Sequence, residues 1–223
     1  MLQFFAKYKF FGIVMLVLSA IIITIIYNVY TIDEGKVLPV YQPNDVTAEL
    51  VDTTVQHIKK YHKIADFSLT NQNGQIITQE DYKNKIYVAD FFFTTCQTIC
   101  PIMTDHMVNV QEKVKNNPEI MLLSHTVTPD IDTVAQLKRY AQEKGVDDTK
   151  WNLVTGDKKE IYDLARKSYL AAKDTPYNEY DLIHTENFVL VDKKRRIRGF
   201  YDGTDPKAIE ELMDDIEILQ KEK

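Results

Sequence analysis

The sequence predicts an α/β domain, a central mixed sheet flanked by helices, behind a single N-terminal transmembrane helix. Three observations carry this prediction: an apolar run over residues 10–30, a hairpin signal at Asn73-Gly74, and alternating strand and helix patterns from residue 85 onwards. Strands that alternate with helices of this length indicate parallel strand pairs covered on both faces.

The first thirty residues carry the signal for membrane insertion. Lys7 and Lys9 precede an uncharged, mostly apolar stretch over residues 10–30, and about 20 apolar residues suffice to cross a bilayer as a helix. The stretch exceeds the apolar part of a secretory signal, about 7–15 residues, so we expect an uncleaved anchor. Because the next basic residue is Lys36, the positive-inside rule leaves the N-terminus in the cytoplasm. The rest of the chain is then expected on the periplasmic or extracytoplasmic side of the inner membrane.

These features divide the chain into four segments. A cytoplasmic N-terminus, a transmembrane signal-anchor, a polar spacer and a folded domain are assigned to residues 1–9, 10–30, 31–63 and 64–223. Within the spacer, apolar residues at helical spacing predict a helix over 44–60, and His57 and His62 are expected to be solvated. The formal net charge of −6 argues against a nucleic-acid surface, which usually needs a basic face.

Local patterns predict the elements of the domain. Asn73-Gly74 between two short extended runs is a strong hairpin signal, and the β-branched and aromatic run 85–94 predicts a buried strand. An Asp-Thr start and a Gly stop mark the helix over 132–145. The other predicted strands are 119–128, 151–156, 186–192 and 197–203, and the other predicted helices are 100–115, 157–170 and 205–220.

Both cysteines of the chain, Cys96 and Cys100, lie where the strand over 85–94 gives way to a helix. Ligand sites in such sheets lie at the carboxyl ends of strands, and a helix N-terminus favours thiolates over thiols. Two thiolates this close can form a disulfide, act as a redox couple or bind a soft metal ion. Outside the cytoplasm a disulfide persists, so a functional thiol pair there needs a reductant or a metal.

His184 adds a candidate third ligand to the pair. Thioredoxin-type oxidoreductases have two residues between their cysteines, whereas this pair has three, and His184 stands where those enzymes have a cis-proline. Two thiolates and an imidazole suit copper, because sulfur holds Cu(I) and nitrogen accommodates Cu(II). Zinc accepts the same ligands but usually takes a fourth. The residue types alone leave a structural disulfide and a structural histidine open.

Four stretches resemble the Sco/SenC family of copper proteins: DFFFTTCQTICPIMTDHM, TPDIDTVAQLKRYA, WNLVTG and LIHTENFVLVDKKRRIRGFYDG. The resemblance covers roughly residues 60–215 and is most specific at the F-T-x-C-x-x-x-C-P core. It implies a thioredoxin-like fold and a membrane-tethered copper chaperone. Such a chaperone helps to assemble the binuclear copper centre of cytochrome c oxidase, by delivering copper or by reducing the cysteines of that centre.

The resemblance also implies ligands and partners. Cys96 and Cys100 match the family's copper thiolates and His184 matches its imidazole ligand. The implied partners are the copper-bearing subunit of the oxidase and a thioredoxin-like reductant. The family commonly has V-D-P-x-x-D-T, where this chain has Thr128 in place of the first acid and retains Asp132. We expect copper binding to survive this change, whereas the tuning of the thiolates by that acid is left open.

Two functions therefore stay open. In the first, the three ligands hold one copper ion and pass it to a partner by ligand exchange. In the second, the protein is a thiol–disulfide oxidoreductase in which Cys96 attacks and Cys100 resolves. His184 is needed only by the first function.

Other potential ligands are interpreted as structural. His125 lies near the end of a predicted strand, and His106 is expected to point away from the cysteines. Met103 and Met107 have helical spacing and are expected in the core. The basic run 193–196 is expected at a hairpin tip.

Overall fold

The structure, a computed structural model, describes residues 11, 13–25, 36–171 and 186–222. The chain divides into two compact units, Met1–Val37 and Leu38–Lys223. In the first unit, residues 13–25 are helical. Within the described residues, no helix has the length and apolarity needed to span a membrane. The span predicted over 10–30 lies partly outside those residues.

A seven-stranded mixed sheet with flanking helices forms the second unit. The strands are β1 Ser68–Asn71, β2 Ile76–Thr78, β3 Ile86–Phe92, β4 Ile120–Thr126, β5 Trp151–Thr155, β6 Asn187–Val191 and β7 Ile197–Asp202. The helices are α1 Ile99–Val114, α2 Val134–Lys144, α3 Lys158–Asp163 and α4 Pro206–Lys221. The strand order is β2-β1-β5-β4-β3-β6-β7. Strands β3, β4 and β5 are parallel, and the hairpins β1–β2 and β6–β7 are antiparallel. The predicted α/β class and N-terminal hairpin are confirmed.

Two hydrophobic clusters cover the two faces of the sheet. All seven residues of β3 are buried, and they alternate between the faces. Tyr87 and Phe91 belong to the cluster that includes α3. Val88 and Phe92 belong to the cluster that includes α1, α2 and α4. A strand buried on both faces is what its continuous apolar pattern predicts.

The turn residues marked by the sequence have the geometry that their signals require. Gly74, in the β1–β2 turn, has φ +75°, and Gly145, which ends α2, has φ +73°. Both values lie in the left-handed region that glycine adopts without steric cost. At the other end of α2, the Thr133 side chain accepts a hydrogen bond from the Gln136 N–H. These local signals set the bounds of α2 to within two residues of the prediction.

The helix predicted over 44–60 is wrong. The structure has two short 3-10 turns there, Pro43–Asp45 and Ala48–Leu50. Asp52 accepts hydrogen bonds from the N–H and hydroxyl of Thr54, at 2.8 and 2.5 Å. Such local bonds from an Asp side chain compete with helix formation. Val51 is fully buried in the domain core, so this irregular segment is held by packing.

Residues 38–63 belong to the same compact unit as the sheet. Leu38 is buried, and the buried Arg198 donates a 2.7 Å hydrogen bond to its carbonyl oxygen. His62 is also buried, and its Nε2 donates to the Ser168 carbonyl oxygen at 2.8 Å. The expectation that His62 is solvated is therefore wrong, whereas His57 is exposed as expected.

The helix predicted over 157–170 is divided in the structure. Helix α3 ends at Asp163 and a π-helical turn, Leu164–Ser168, follows it. The four residues 168–171 are all buried, a run that a regular surface helix cannot produce because its exposed face recurs every 3.6 residues. The Tyr169 N–H donates to the Leu164 carbonyl at 2.8 Å, and Leu170 adopts φ +53°. Burial of this run explains the departure from the α-helix.

Candidate metal centre

Cys96 and Cys100 lie where the carboxyl end of β3 leads into the first turn of α1. Helix α1 begins at Ile99, so Cys100 is in its first turn and Cys96 precedes it. Pro101 also lies in this first turn, where its missing N–H costs no helical hydrogen bond. The pair is therefore at the sheet edge where the sequence predicts it, beside a helix N-terminus, where backbone N–H groups have no partner within the helix.

The two cysteines are free thiols in different environments. Cys100 is only 3% exposed and belongs to the core cluster that contains Phe92 and Met103. Cys96 is half-buried. The Cys100 N–H donates to Cys96 Sγ at 3.4 Å, and Thr98 Oγ1 lies 3.6 Å from the same sulfur. The Cys96 sulfur is therefore accessible to solvent, whereas the Cys100 sulfur is buried in the core.

These surroundings shift the two thiol pKa values in opposite directions. Partial burial opposes ionisation of Cys96, but hydrogen bonds from Cys100 and Thr98 outweigh it and lower its pKa to about 7. Burial raises the pKa of Cys100 to about 12, and the charges of Cys96 and Asp90 add to the shift. Near neutral pH, Cys96 is substantially thiolate and Cys100 is a thiol. A metal ion that bound both sulfurs would release the Cys100 proton.

The predicted third ligand, His184, lies outside the described residues. The chain is described again from Glu186, directly before β6. Strand β6 pairs antiparallel with β3, with Ala89 opposite Val189, so β6 begins at the edge where β3 ends. Among the described side chains, no three His, Cys, Asp or Glu residues form a group that could hold a metal ion.

The other potential ligands have structural roles, as predicted. His125 is fully buried, stacks on Phe91 at a centroid distance of 4.8 Å, and has its pKa lowered to about 4 by burial. His106 Nδ1 donates to the Gly203 carbonyl oxygen at 2.7 Å. Met103 and Met107 are buried in the core. The basic run 193–196 lies between β6 and β7, at the predicted hairpin tip.

The sequence gives no indication of the hydrogen-bonding role of two buried carboxylates, Asp90 in β3 and Asp132, which the sequence marks as a retained acid of the family pattern. Asp90 accepts a hydrogen bond from the Ser124 hydroxyl, and burial raises its pKa to about 7. Its sequence signal is an acidic residue inside an apolar strand. Asp132 is fully buried and accepts hydroxyl hydrogen bonds from Thr94, Thr126 and Thr128. In the sequence, Asp132 belongs to the Asp-Thr signal for a helix start, and that signal does not indicate that its carboxylate accepts these hydrogen bonds.

Comparison with known proteins gives consistent matches. The SCO1/SenC family model matches residues 55–220. The crystal structure of a SCO1/SenC family lipoprotein from Bacillus anthracis is 32% identical, with a TM-score of 0.64 over 72% of this chain and 96% of that one. BsSco, described as having a disulfide switch and as a member of the Sco family of cytochrome c oxidase assembly proteins, is 31% identical, with a TM-score of 0.62 over 73% and 95%. Arabidopsis thaliana ScoI, solved with copper bound, is 25% identical, with a TM-score of 0.57 over 71% and 98%. The chain belongs to the SCO1/SenC family and shares its thioredoxin-like fold.

Proposed function

We propose that this protein is a copper chaperone for cytochrome c oxidase. It binds one copper ion through the thiolates of Cys96 and Cys100 and the imidazole of His184, and passes the ion to the copper-bearing subunit of the oxidase. The observation that carries the proposal is the pair of free thiols at the start of α1, in a chain of this family. The copper-bound relative and the oxidase-assembly relative support it.

The donor set suits copper. Thiolates are soft ligands that favour Cu(I), and an added imidazole accommodates Cu(II). The burial of Cys100 beside Phe92 limits access of water from the core side. Cys96 has the more exposed sulfur, so a partner thiolate displaces it first during ligand exchange. His184 precedes β6 by three residues, and β6 begins at the edge that carries the cysteines, which supports a ligand from this segment.

We also infer that the domain is tethered to the outer side of the cytoplasmic membrane. The apolar stretch over 10–30 and the two lysines before it support an anchor with its N-terminus inside. A relative described as a lipoprotein supports attachment to a membrane. On that side of the membrane the thiol pair is exposed to oxidation and needs a reductant, for which a thioredoxin-like protein is the fitting class.

A competitive Cu(I) titration tests the copper site. The full chain, reduced, in detergent and without oxygen, is titrated against a chelator of known affinity. We expect one tight equivalent, weakened by more than about 100-fold in Cys96→Ser and by about 10–100-fold in His184→Ala. His57→Ala, which removes an exposed histidine, is the matched control and is expected to bind like the wild type. If the wild type binds no Cu(I) tightly, or if all four proteins bind Cu(I) with equal affinity, the proposed site is wrong.

A second candidate function is thiol–disulfide exchange. The observation that favours it is the asymmetry of the pair, since an exposed thiol with a lowered pKa suits attack and a buried thiol suits resolution. The relative with a disulfide switch also supports redox chemistry. Copper binding depends on His184 and exchange does not, so His184→Ala separates the two functions.

A further inference from the structure

Asp132 has a complete set of hydrogen-bond donors although it is fully buried. Its Oδ1 accepts the Thr94 hydroxyl at 2.5 Å, and its Oδ2 accepts the Thr94 N–H at 3.2 Å. Oδ2 also accepts the hydroxyls of Thr126 and of Thr128, the latter at 2.9 Å. Carboxylate oxygens accept hydrogen bonds, and these four donors leave neither oxygen of Asp132 without a partner. The carboxylate therefore joins the ends of two neighbouring strands.

Thr94 connects this carboxylate to the thiol pair. It follows β3 and precedes Cys96 by two residues, and its hydroxyl also accepts a 3.0 Å hydrogen bond from Gln136 Nε2. Thr94 also lies inside a turn, because the Cys96 N–H donates to the carbonyl oxygen of Phe93 at 3.3 Å. Movement at Thr94 would therefore displace the backbone that carries Cys96.

We propose that Asp132 is a positioning residue for the thiol pair, acting through Thr94, and that Thr128 completes its set of donors. In the reduced protein the carboxylate fixes the turn that carries Cys96 and so sets the separation of the two sulfurs. The effect on copper affinity rests on the proposed function. The effect on the dithiol–disulfide equilibrium does not depend on that function.

The hydroxyl of Thr128 suits this role better than an acid would. A carboxylate in its place would lie close to Asp132, and two carboxylates at hydrogen-bond distance cannot both ionise. The Thr128 hydroxyl instead donates to Asp132 Oδ2 at 2.9 Å. At position 128 this chain thus has a hydroxyl that donates to Asp132 where the family pattern has an acid.

The test compares Thr94→Val, which removes the hydroxyl at constant shape, with Thr94→Ser, which keeps it. The first readout is the equilibrium between dithiol and disulfide in glutathione buffers, in which the two thiols lose two electrons and two protons and glutathione disulfide becomes two glutathione molecules. We expect Thr94→Val to shift this equilibrium towards the disulfide by about fivefold, since a hydrogen bond that favours the reduced arrangement is lost. The second readout is Cu(I) affinity, expected to fall by about tenfold. Thr94→Ser is expected to retain both wild-type values.

Two further variants complete the test. Thr128→Val removes one donor at a half-buried loop position and is expected to shift both readouts in the same direction, by less than Thr94→Val. Thr149→Val removes a hydroxyl that bonds Asp147 at 2.6 Å on an exposed turn, and is expected to change neither readout. A lower unfolding midpoint for Thr94→Val with both readouts unchanged would overturn the proposal. If the wild type binds no copper, the proposed function fails and the glutathione equilibrium alone decides the role of Asp132.

Discussion

Oxidation of Cys96 and Cys100 to a disulfide is expected to lower the Cu(I) affinity of the protein by more than about 100-fold. Disulfide formation removes both thiolates, and the single imidazole left cannot hold Cu(I) against a competing chelator. The structure brings the cysteines together as free thiols, with the Cys100 N–H 3.4 Å from Cys96 Sγ. The reduced form of the pair would then bind Cu(I), and the disulfide form would not.

The measurement is a competitive Cu(I) titration of the reduced protein, of the oxidised protein and of the oxidised protein after reduction again. Tight binding is expected in the first and third samples only. The Cys96→Ser Cys100→Ser double variant is the control, because an oxidant should leave its weak affinity unchanged. Equal Cu(I) affinity in the reduced and oxidised wild type would contradict this expectation.

Arg198→Ala is expected to lower the free energy of unfolding by about 3–5 kcal/mol, the usual cost of removing one partner from a buried ion pair. The guanidinium is buried and donates to Asp192 at 3.1 Å and to both Glu222 oxygens at 2.6 Å. It also donates to the carbonyl oxygens of Leu38 and Pro39, at 2.7 and 2.9 Å. One side chain therefore joins β7 to the first and last described residues of the domain.

Denaturant unfolding at several pH values checks this expectation. Hydrogen bonds from Arg198 lower the pKa of Glu222 below its ordinary value of 4.5. A carboxylate with a lowered folded pKa contributes stability above its unfolded pKa and loses it as the pH falls. The difference between wild type and Arg198→Ala should thus be full at neutral pH and narrow below about pH 4.

Lys83→Ala is the matched control for Arg198→Ala. Its ammonium pairs with Glu80 at 2.8 Å, but both side chains are exposed, and exposed pairs contribute little. We expect no measurable change in the free energy of unfolding. An Arg198→Ala protein that unfolds at the same denaturant concentration as wild type would contradict the role given to Arg198.

Much of the fold follows from local sequence because its elements have strong local signals. Strand β3 is uninterrupted by polar residues except Asp90, and α2 has both its Thr133 cap and its Gly145 stop. These signals depend on neighbouring residues and can be interpreted without the tertiary structure. The position of Cys96 and Cys100 at a strand-to-helix junction follows from the same signals.

The parts that could not be predicted depend on tertiary packing. Val51 is buried in an irregular segment that has a helical pattern, and the buried run 168–171 changes α3 into a π-helical turn. In both places the burial of particular side chains outweighs local propensity. The bond between Thr94 and Asp132 joins residues 38 positions apart and depends on the parallel pairing of β3 with β4. A pattern in neighbouring residues cannot predict a hydrogen bond between two residues so far apart in the sequence.

The measurement that tests the copper site most directly is X-ray absorption at the copper edge, on the full chain loaded with one equivalent of Cu(I). We predict two sulfur ligands and one nitrogen ligand in the wild type. In His184→Ala the nitrogen contribution should disappear while both sulfurs remain, and in His57→Ala all three ligands should remain. A copper centre without sulfur ligands, or a nitrogen contribution that persists in His184→Ala, would contradict the three-ligand site.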